Sequence, residues 1–203
     1  PPVSSPSPPP PSSVECGTGM DVCFIVSQRG GNNGAMDRLK QLMQAVAVQL
    51  GVGGAASSVC IVAPNMTVDA TGGQTSPAAM LTSPPMATSL ASVAAALDRW
   101  SVPAIPLGNM ANETTEALWL AANTLLGTSG GRKKAIAWLA GEAYLASGEL
   151  AAATASIKGA GVEVFALGWG WWAAADCDPE LAASVSSPSA DFCVGCGAGQ
   201  YNL

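Results

Sequence analysis

An uninterrupted apolar run near the start of the chain constrains the fold more than any other feature. Residues 22–26 are VCFIV, a run with β-branched and aromatic side chains that is too short for an independent helix. Such a run is typical of a strand that is buried on both faces. The polar, glycine-bearing turn SQRGG follows at residues 27–31. Because open α/β sheets bind ligands where their strands end, this turn is the first place to search for a functional site.

Strand-like and helix-like segments alternate along the rest of the chain. Short apolar runs predict strands at residues 58–63, 135–140 and 162–167. Apolar residues at a helical spacing, bounded by capping residues and glycines, predict helices at residues 35–50, 90–100, 112–125 and 149–158. Ser89 is expected to cap the second of these helices, and its apolar residues on one face are Leu90, Val93, Leu97 and Trp100. This alternation predicts an α/β fold: a doubly wound, mostly parallel central sheet with helices on both faces.

The less regular segments predict the edges of this sheet. Residues 67–70, closed by a Gly-Gly pair, predict a short antiparallel edge strand. Residues 74–88 carry three prolines, so we expect this stretch to be mostly irregular. A short helix is expected to begin at residues 178–180, and a last strand or an extended tail at residues 191–197.

The first 13 residues, PPVSSPSPPPPSS, contain only Pro and Ser apart from Val3 and cannot form a core. The prolines at residues 8–11 predict a polyproline II helix, which is a stiff, extended spacer. A plain linker and a glycosylated stalk are both open interpretations. The Ser-Pro repeats resemble those of hydroxyproline-rich glycoproteins in plant and green-algal cell walls and surface coats. We therefore divide the chain into a linker or stalk at residues 1–15 and one domain at residues 16–203.

The charge and hydropathy of the chain exclude some classes of partner. The 8 Lys and Arg residues are outnumbered by 14 Asp and Glu residues, which gives a formal net charge of −6. Nucleic-acid binding needs a basic stripe, so we expect no nucleic-acid partner. Although 49% of the residues are hydrophobic, no uninterrupted apolar run reaches the roughly 18 residues of a membrane span, so we expect none.

Cysteines and sequons indicate an extracellular chain. Cys23 and Cys60 lie on strands that we expect to be neighbours, where they are either bonded or free buried thiols, and we favour the bond. Two N-x-[ST] sequons make Asn65 and Asn112 candidate glycosylation sites. The even number of cysteines is consistent with disulfides in an oxidising compartment, and the 6 candidates are Cys16, Cys23, Cys60, Cys177, Cys193 and Cys196.

The motifs of common enzyme classes are missing from the sequence. It contains no His for a general base or a triad, no G-x-S-x-G and no P-loop. We therefore expect no enzymatic activity and no cofactor. The acidic residues are spread out without an obvious pair, and we interpret them as solvated loop and cap residues: Asp21, Asp37, Asp69, Asp98, Glu142, Asp176 and Asp178.

Four segments, in their order and spacing, resemble a von Willebrand factor A domain over residues 20–203. MDVCFIVSQRGG resembles the first strand and its loop, and NETTEALWLAANTLL resembles the helix that starts with a metal-binding threonine in the family. RKKAIAWLAGEAY resembles the fourth strand with its Thr-Asp-Gly end, and ELAAATASIKGAGVEVFALGWG resembles the next helix and the fifth strand. The resemblance implies a Rossmann-like sheet that, in many members, holds a divalent cation at its carboxyl edge.

The residues that hold this cation in the family are replaced in this sequence. The family pattern is Asp-x-Ser-x-Ser after strand one, a Thr before the third large helix and an Asp after strand four, which suits Mg²⁺ or Mn²⁺. Neutral oxygens beside the guanidinium of Arg29 cannot hold a dication. The negative charge of the family's ligands is missing, and the guanidinium repels the cation. We therefore expect no metal. The matching positions hold Ser27, Arg29, Gly31, Ala140 and Asn112, or Thr114 if the register slips by two.

Two groups at the expected carboxyl edge are candidate binding residues. Arg29 is either an exposed loop residue of no special role or a fixed positive charge that receives an acidic group from a partner. Trp169, Trp171 and Trp172 follow the fifth strand at the same edge. They either pack on neighbouring elements or form an exposed aromatic platform for a protein partner or a sugar.

The resemblance also implies how the ends of the domain are joined. Some relatives tie their termini together, which here pairs Cys16 with Cys193 or Cys196 and leaves Cys177 for the remaining cysteine. A zinc site is a poorer interpretation of these cysteines, because the sequence has one C-x₂-C pair and no His.

Together these features predict a non-enzymatic extracellular structural or adhesion module. We expect metal-independent protein–protein interaction or assembly in a matrix, a cell wall or a surface filament. The expected partners are other extracellular or matrix proteins, with glycans as a second class. Two alternatives stay open: a metal-dependent adhesion domain that uses Ser27, Asn112 and Thr114 as shifted ligands, and a carbohydrate-binding module that uses the loop at residues 169–172.

Overall fold

The structure, a computed structural model, describes residues 19–27, 33–54, 57–68, 74–100, 110–140 and 148–168 of the 203-residue chain. The stalk at residues 1–15, the expected helix at residues 178–180 and the expected last strand at residues 191–197 lie outside these ranges. In chain order, the elements are β1 (Met20–Ser27), α1 (Asn33–Gln49), β2 (Ser58–Val68), β3 (Gln74–Met80), α2 (Leu90–Arg99), α3 (Met110–Leu126), β4 (Lys133–Ala140), α4 (Gly148–Gly159) and β5 (Val162–Gly168).

The five described strands form one mixed sheet in the order β3-β2-β1-β4-β5. β1 pairs in parallel with β2 and with β4, and β4 pairs in parallel with β5. β3 joins the outer side of β2 in the antiparallel direction. The chain therefore builds outward from β1 in both directions. This arrangement confirms the predicted fold class, a doubly wound and mostly parallel sheet with one antiparallel edge strand.

Each face of the sheet carries its own hydrophobic core, because alternate residues of a strand point to opposite faces. On β1, Cys23 and Ile25 belong to the core beneath α3 and α4. Val22 and Phe24 belong to the core beneath α1 and α2. All four residues are buried. Burial on both faces explains why β1 appears in the sequence as an unbroken apolar run and not as an alternating one.

Alanine allows α3 to lie close to the sheet. Ala117, Ala121 and Ala122 are fully buried, together with Leu118 and Leu125 on the same helix. Small side chains at these positions bring the helix axis near the strands, and α3 contacts all five of them. The packing therefore defines the position of α3 on the sheet, and with it the location of the first turns of the helix.

The antiparallel edge strand lies at a different place from the one that the sequence predicts. Thr67 and Val68 form the end of β2 and do not begin a separate strand, and residues 69–70 lie outside the described ranges. The edge strand is β3, within the stretch expected to be irregular. Pro77 is compatible with it because an edge strand has a neighbouring strand on one side only. A missing N–H is tolerated on the open side.

The helices agree with the predicted capping and period, with small differences. Ser89 caps α2 as predicted, and its hydroxyl accepts a hydrogen bond from the Ser92 N–H at 3.2 Å. Leu90, expected on the buried face of this helix, is 41% exposed, whereas Val93 is buried. A helical period identifies one face but does not indicate which of its residues lie over the sheet. None of the described helices is long and apolar enough to cross a membrane.

Candidate functional site

At the carboxyl edge of the sheet, the ends of three of the four parallel strands are paired side by side. Ser27 at the end of β1 is paired with Ala140 at the end of β4, and Ala140 is paired with Gly168 at the end of β5. The chain leaves β1 toward β2 on one side of the sheet, and β4 and β5 lie on the other. The junction of β1 and β4 is therefore the topological switch point, the place where open α/β sheets bind ligands.

A hydrogen bond at the opposite end of the sheet fixes the direction of α3. Thr128, just after α3, donates its hydroxyl to Oδ2 of Asp21 at 2.9 Å, and Asp21 is the second residue of β1. The helix therefore runs antiparallel to β1, and its first turns lie toward the carboxyl edge. Thr114 precedes Thr128 by about 21 Å of helical rise, close to the roughly 20 Å that separate Asp21 from Ser27 along β1.

Thr114 is the most unusual polar residue of this region. Its side chain is fully buried, and its Oγ1 has no hydrogen-bond partner among the described residues. A buried hydroxyl without a partner costs about 1–3 kcal/mol. The helix begins at Met110, so Asn112 and Thr114, the two candidates for the metal-binding threonine position, lie in its first two turns.

β1 ends in Ser27 and β4 ends in Ala140, so neither strand ends in a carboxylate residue. Ser27 and Ala140 stand where the adhesion-site pattern carries its two aspartates. Across the described ranges, no group of three or more His, Cys, Asp or Glu side chains could hold a metal ion. Mg²⁺ and Mn²⁺ prefer carboxylate oxygens, and the loss of the cation site stays a prediction.

The predicted binding residues come shortly after the strands that end at this edge. Arg29 comes two residues after the end of β1, and Trp169 comes directly after the end of β5. Arg29, Trp169, Trp171 and Trp172 themselves lie outside the residues that the structure describes. The binding roles of these residues therefore stay predictions.

Cys23 and Cys60 are joined by a disulfide between neighbouring parallel strands. The two residues are paired directly across β1 and β2, with their Cα atoms 4.4 Å apart, and both are fully buried. Of the two alternatives that the sequence leaves open, the structure contains the bonded one. The other candidate cysteines, Cys16, Cys177, Cys193 and Cys196, lie outside the described ranges.

The sequence interpretation of Asp21 as a solvated loop or cap residue is wrong. Asp21 is fully buried at the amino edge of the sheet. Its Oδ1 accepts a hydrogen bond from the Ser58 hydroxyl at 2.5 Å and lies 3.1 Å from Nη2 of Arg132, while Thr128 donates to Oδ2. The sequence did carry a signal for this ion pair, namely an acidic residue directly before a buried apolar run. A carboxylate at such a position is itself buried and therefore needs a partner.

The two sequons lie on regular elements. Asn65 is in β2, where the register with β3 shifts between Pro64 and Thr67. Asn112 is in the first turn of α3, and the threonine of its sequon is the buried Thr114. Glycosylation at either asparagine stays a prediction.

Solved structures share this fold, although no protein-family model and no curated protein matches the chain. One is proximal thread matrix protein 1 from the mussel byssus, with a TM-score of 0.62 and 10% identity over 84% of this chain and 42% of that one. A form of that protein with a zinc-occupied MIDAS motif has a TM-score of 0.59 at 10% identity, over 84% of this chain and 41% of that one.

A bacterial surface protein has the same fold. The open conformation of the pilus adhesin SpaC from Lactobacillus rhamnosus GG matches with a TM-score of 0.55 and 13% identity, over 74% of this chain and 24% of that one. The chain thus spans less than half the length of these proteins. These similarities support a von Willebrand factor A-like fold. The structural neighbours are a thread matrix protein of the mussel byssus and a pilus adhesin.

Proposed function

We propose that the chain is a non-enzymatic extracellular module for adhesion or assembly that binds protein partners without a metal ion. One observation carries the metal-independent part of this proposal. At the switch point, the paired strand ends hold Ser27 and Ala140, two residues without the negative charge that a dication needs. The degenerate adhesion site and the absence of a cofactor are parts of the same proposal.

Three features support an extracellular location. The buried Cys23–Cys60 disulfide is typical of proteins that fold in an oxidising compartment. The solved structures with the same fold come from a byssus and a pilus. The Pro/Ser composition of residues 1–15 suits a spacer in a matrix, a cell wall or a surface filament. In such a place, Asn65 and Asn112 would carry glycans, and the prolines of the stalk would be hydroxylated.

The carboxyl edge is the binding surface in this proposal. Arg29 supplies a fixed positive charge beside the end of β1, and Trp169, Trp171 and Trp172 supply aromatic area beside the end of β5. Tryptophan and arginine are enriched among the residues that dominate protein–protein binding energies. Partners are therefore extracellular or matrix proteins, with glycans as a second class that uses the same tryptophans.

Thr114 favours a second candidate function. Its buried and unpartnered hydroxyl is consistent with a metal-dependent adhesion domain in which Ser27, Asn112 and Thr114 serve as shifted ligands. This alternative requires neutral oxygens to hold a dication beside Arg29, which is electrostatically unfavourable. We therefore rank it below metal-independent binding.

Adhesion measured with and without a chelator separates the two functions. The full chain, immobilised on beads, is offered purified matrix proteins and a glycan array in Mn²⁺ or in EDTA. The proposal expects the same binding in both buffers and a loss of binding in the folded Trp171→Ala/Trp172→Ala variant. Binding that disappears in EDTA would instead support the shifted-ligand domain, and binding to glycans alone would support a carbohydrate module.

A further inference from the structure

Half of the basic residues of this acidic chain lie together at the amino edge of the sheet. Arg132, Lys133 and Lys134 lead into β4, and Lys158 is in the last turn of α4. Lys134 is paired with Val162 at the start of β5, which follows α4 after a short turn. Four of the 8 Lys and Arg residues thus surround the starts of β4 and β5. Arg132, Lys133 and Lys134 are consecutive in the sequence, and the fold brings Lys158 near them.

The residues of this basic cluster reach the solvent to different extents. Lys133 is exposed, and Lys134 and Lys158 are half-buried. Arg132, with 29% of its side chain exposed, forms the ion pair with Asp21. Besides Asp21, the acidic side chain described next to these residues is Glu163, which is exposed on β5. By formal charge, the four basic residues exceed Asp21 and Glu163, in a chain whose formal net charge is −6.

The opposite edge of the same half of the domain is acidic. Glu149 is exposed in the first turn of α4, and Glu116 is exposed in the second turn of α3. Both helices run from the carboxyl edge to the amino edge. About 14 Å of helical rise separates Glu149 from Lys158. The half of the domain built from α3, α4, β4 and β5 is therefore negative at one end and positive at the other.

The charges of the helices have a local explanation, but those of the strand do not. An acidic residue at the start of α4 and a basic residue at its end complement the helix dipole. Lys133 and Lys134 begin a strand, where no such dipole exists. On the other half of the domain, exposed charges of both signs lie near the carboxyl edge, for example Asp37 and Arg38 on α1. Among the residues that the structure describes, the polarity is thus confined to the α3/α4 half.

We infer that copies of this chain associate head to tail, with the basic amino edge of one copy against the acidic carboxyl edge of the next. The inference rests on the assembly role proposed above and names a second copy as the partner. A contact between two different surfaces is heterologous, and it continues into a filament when the rotation does not close. The net charge of −6 repels copies in other orientations, so the charged edges set the direction of the contact.

Sedimentation of the full chain at low and high salt tests this inference. As the ionic strength rises from about 0.01 M to about 1 M, the Debye length falls from about 30 Å to about 3 Å, which screens exposed charges. The expected weight-average mass is at least about twofold above that of the monomer at low salt and returns to it at high salt. A mass that stays monomeric at every salt concentration contradicts the inference.

Charge reversal at each edge identifies the surfaces. Lys133→Glu/Lys134→Glu and Glu116→Lys/Glu149→Lys are each expected to be monomeric, whereas their equimolar mixture associates again, because every contact then joins opposite charges. The single variant Lys133→Glu is expected to weaken association. Its matched control is Arg38→Glu, at an exposed basic residue outside the basic cluster, which is expected to associate like the wild type. Circular dichroism confirms folding of each variant, and the salt dependence of the wild type decides the question if a variant does not fold.

The other outcomes have separate meanings. An equal effect of Arg38→Glu and Lys133→Glu, or a mixture that stays monomeric, overturns the inference. A monomeric wild type that binds polygalacturonate through Lys133 identifies an acidic polysaccharide as the partner and overturns it as well. These results leave the chelator experiment unaffected. Failure of self-association therefore removes this inference alone, and cation-dependent adhesion removes the proposed function alone.

Discussion

Cys23 and Cys60 lie directly opposite each other on adjacent parallel strands and are joined by a fully buried disulfide. The bridge links the first two strands of the sheet in the core beneath α3 and α4. It therefore ties β1, one of the two strands at the switch point, to its neighbour β2, and we expect it to contribute substantially to the stability of the domain.

Replacing both bridge residues tests this contribution. The bridge spans a sequence separation of 37 residues, for which the chain-entropy model gives a stabilisation of about 4 kcal/mol. We expect Cys23→Ala/Cys60→Ala to lower Tm by roughly 8–16 °C, measured by differential scanning calorimetry. Val62→Ala, in the same core, measures the effect of a small void alone. A double variant no less stable than Val62→Ala would contradict a structural role for the bridge.

The buried ion pair at the amino edge gives a second prediction. Arg132→Met leaves the Asp21 carboxylate buried with two hydroxyl donors and no cation. We expect a loss of about 1–3 kcal/mol in the free energy of unfolding, measured from urea transitions. Lys133→Met is the control, because an exposed neighbour without such a role changes stability by about 0.5 kcal/mol or less. Equal effects of the two variants would contradict the importance of the pair.

Thr114 and Thr154 allow a matched comparison of two buried hydroxyls. Both residues are fully buried in helices, but the Thr154 hydroxyl lies 3.0 Å from the carbonyl oxygens of Leu150 and Ala151. We expect Thr154→Val to lose about 1 kcal/mol and Thr114→Val to be neutral or stabilising in the same urea measurement. A larger loss for Thr114→Val would mean that its hydroxyl has a partner, and would favour the shifted-ligand alternative.

Local patterns in the sequence were sufficient to predict most of the fold. Three features were predicted correctly because residues close together in the sequence determine them. They are the apolar run of β1, the Ser89 cap of α2 and the helices bounded by glycines. The edge strand β3 was missed because Pro77 disfavours a strand locally, while an unpartnered edge tolerates it.

The polar network of the amino edge could not be predicted in the same way. Asp21 and Thr128, whose side chains are hydrogen-bonded, are separated by 107 residues. No periodic pattern links positions so far apart, and the pair becomes evident only after β1 and β4 are adjacent. The positions of Ser27 and Ala140 at the paired ends of β1 and β4 could be predicted, because the sequence already located both strands; the loss of the cation site stays a prediction.

The central claim, binding without a cation, is tested most directly by the thermal stability of the full chain in Mg²⁺, Mn²⁺ and Zn²⁺ against EDTA. A site that binds only the folded state adds about 2.7 kcal/mol at a ligand concentration of 100 Kd, which is roughly 5–11 °C in Tm for a domain of this size. We predict the same Tm in all four buffers. A saturable rise in Tm that EDTA reverses and that Thr114→Val abolishes would contradict the account.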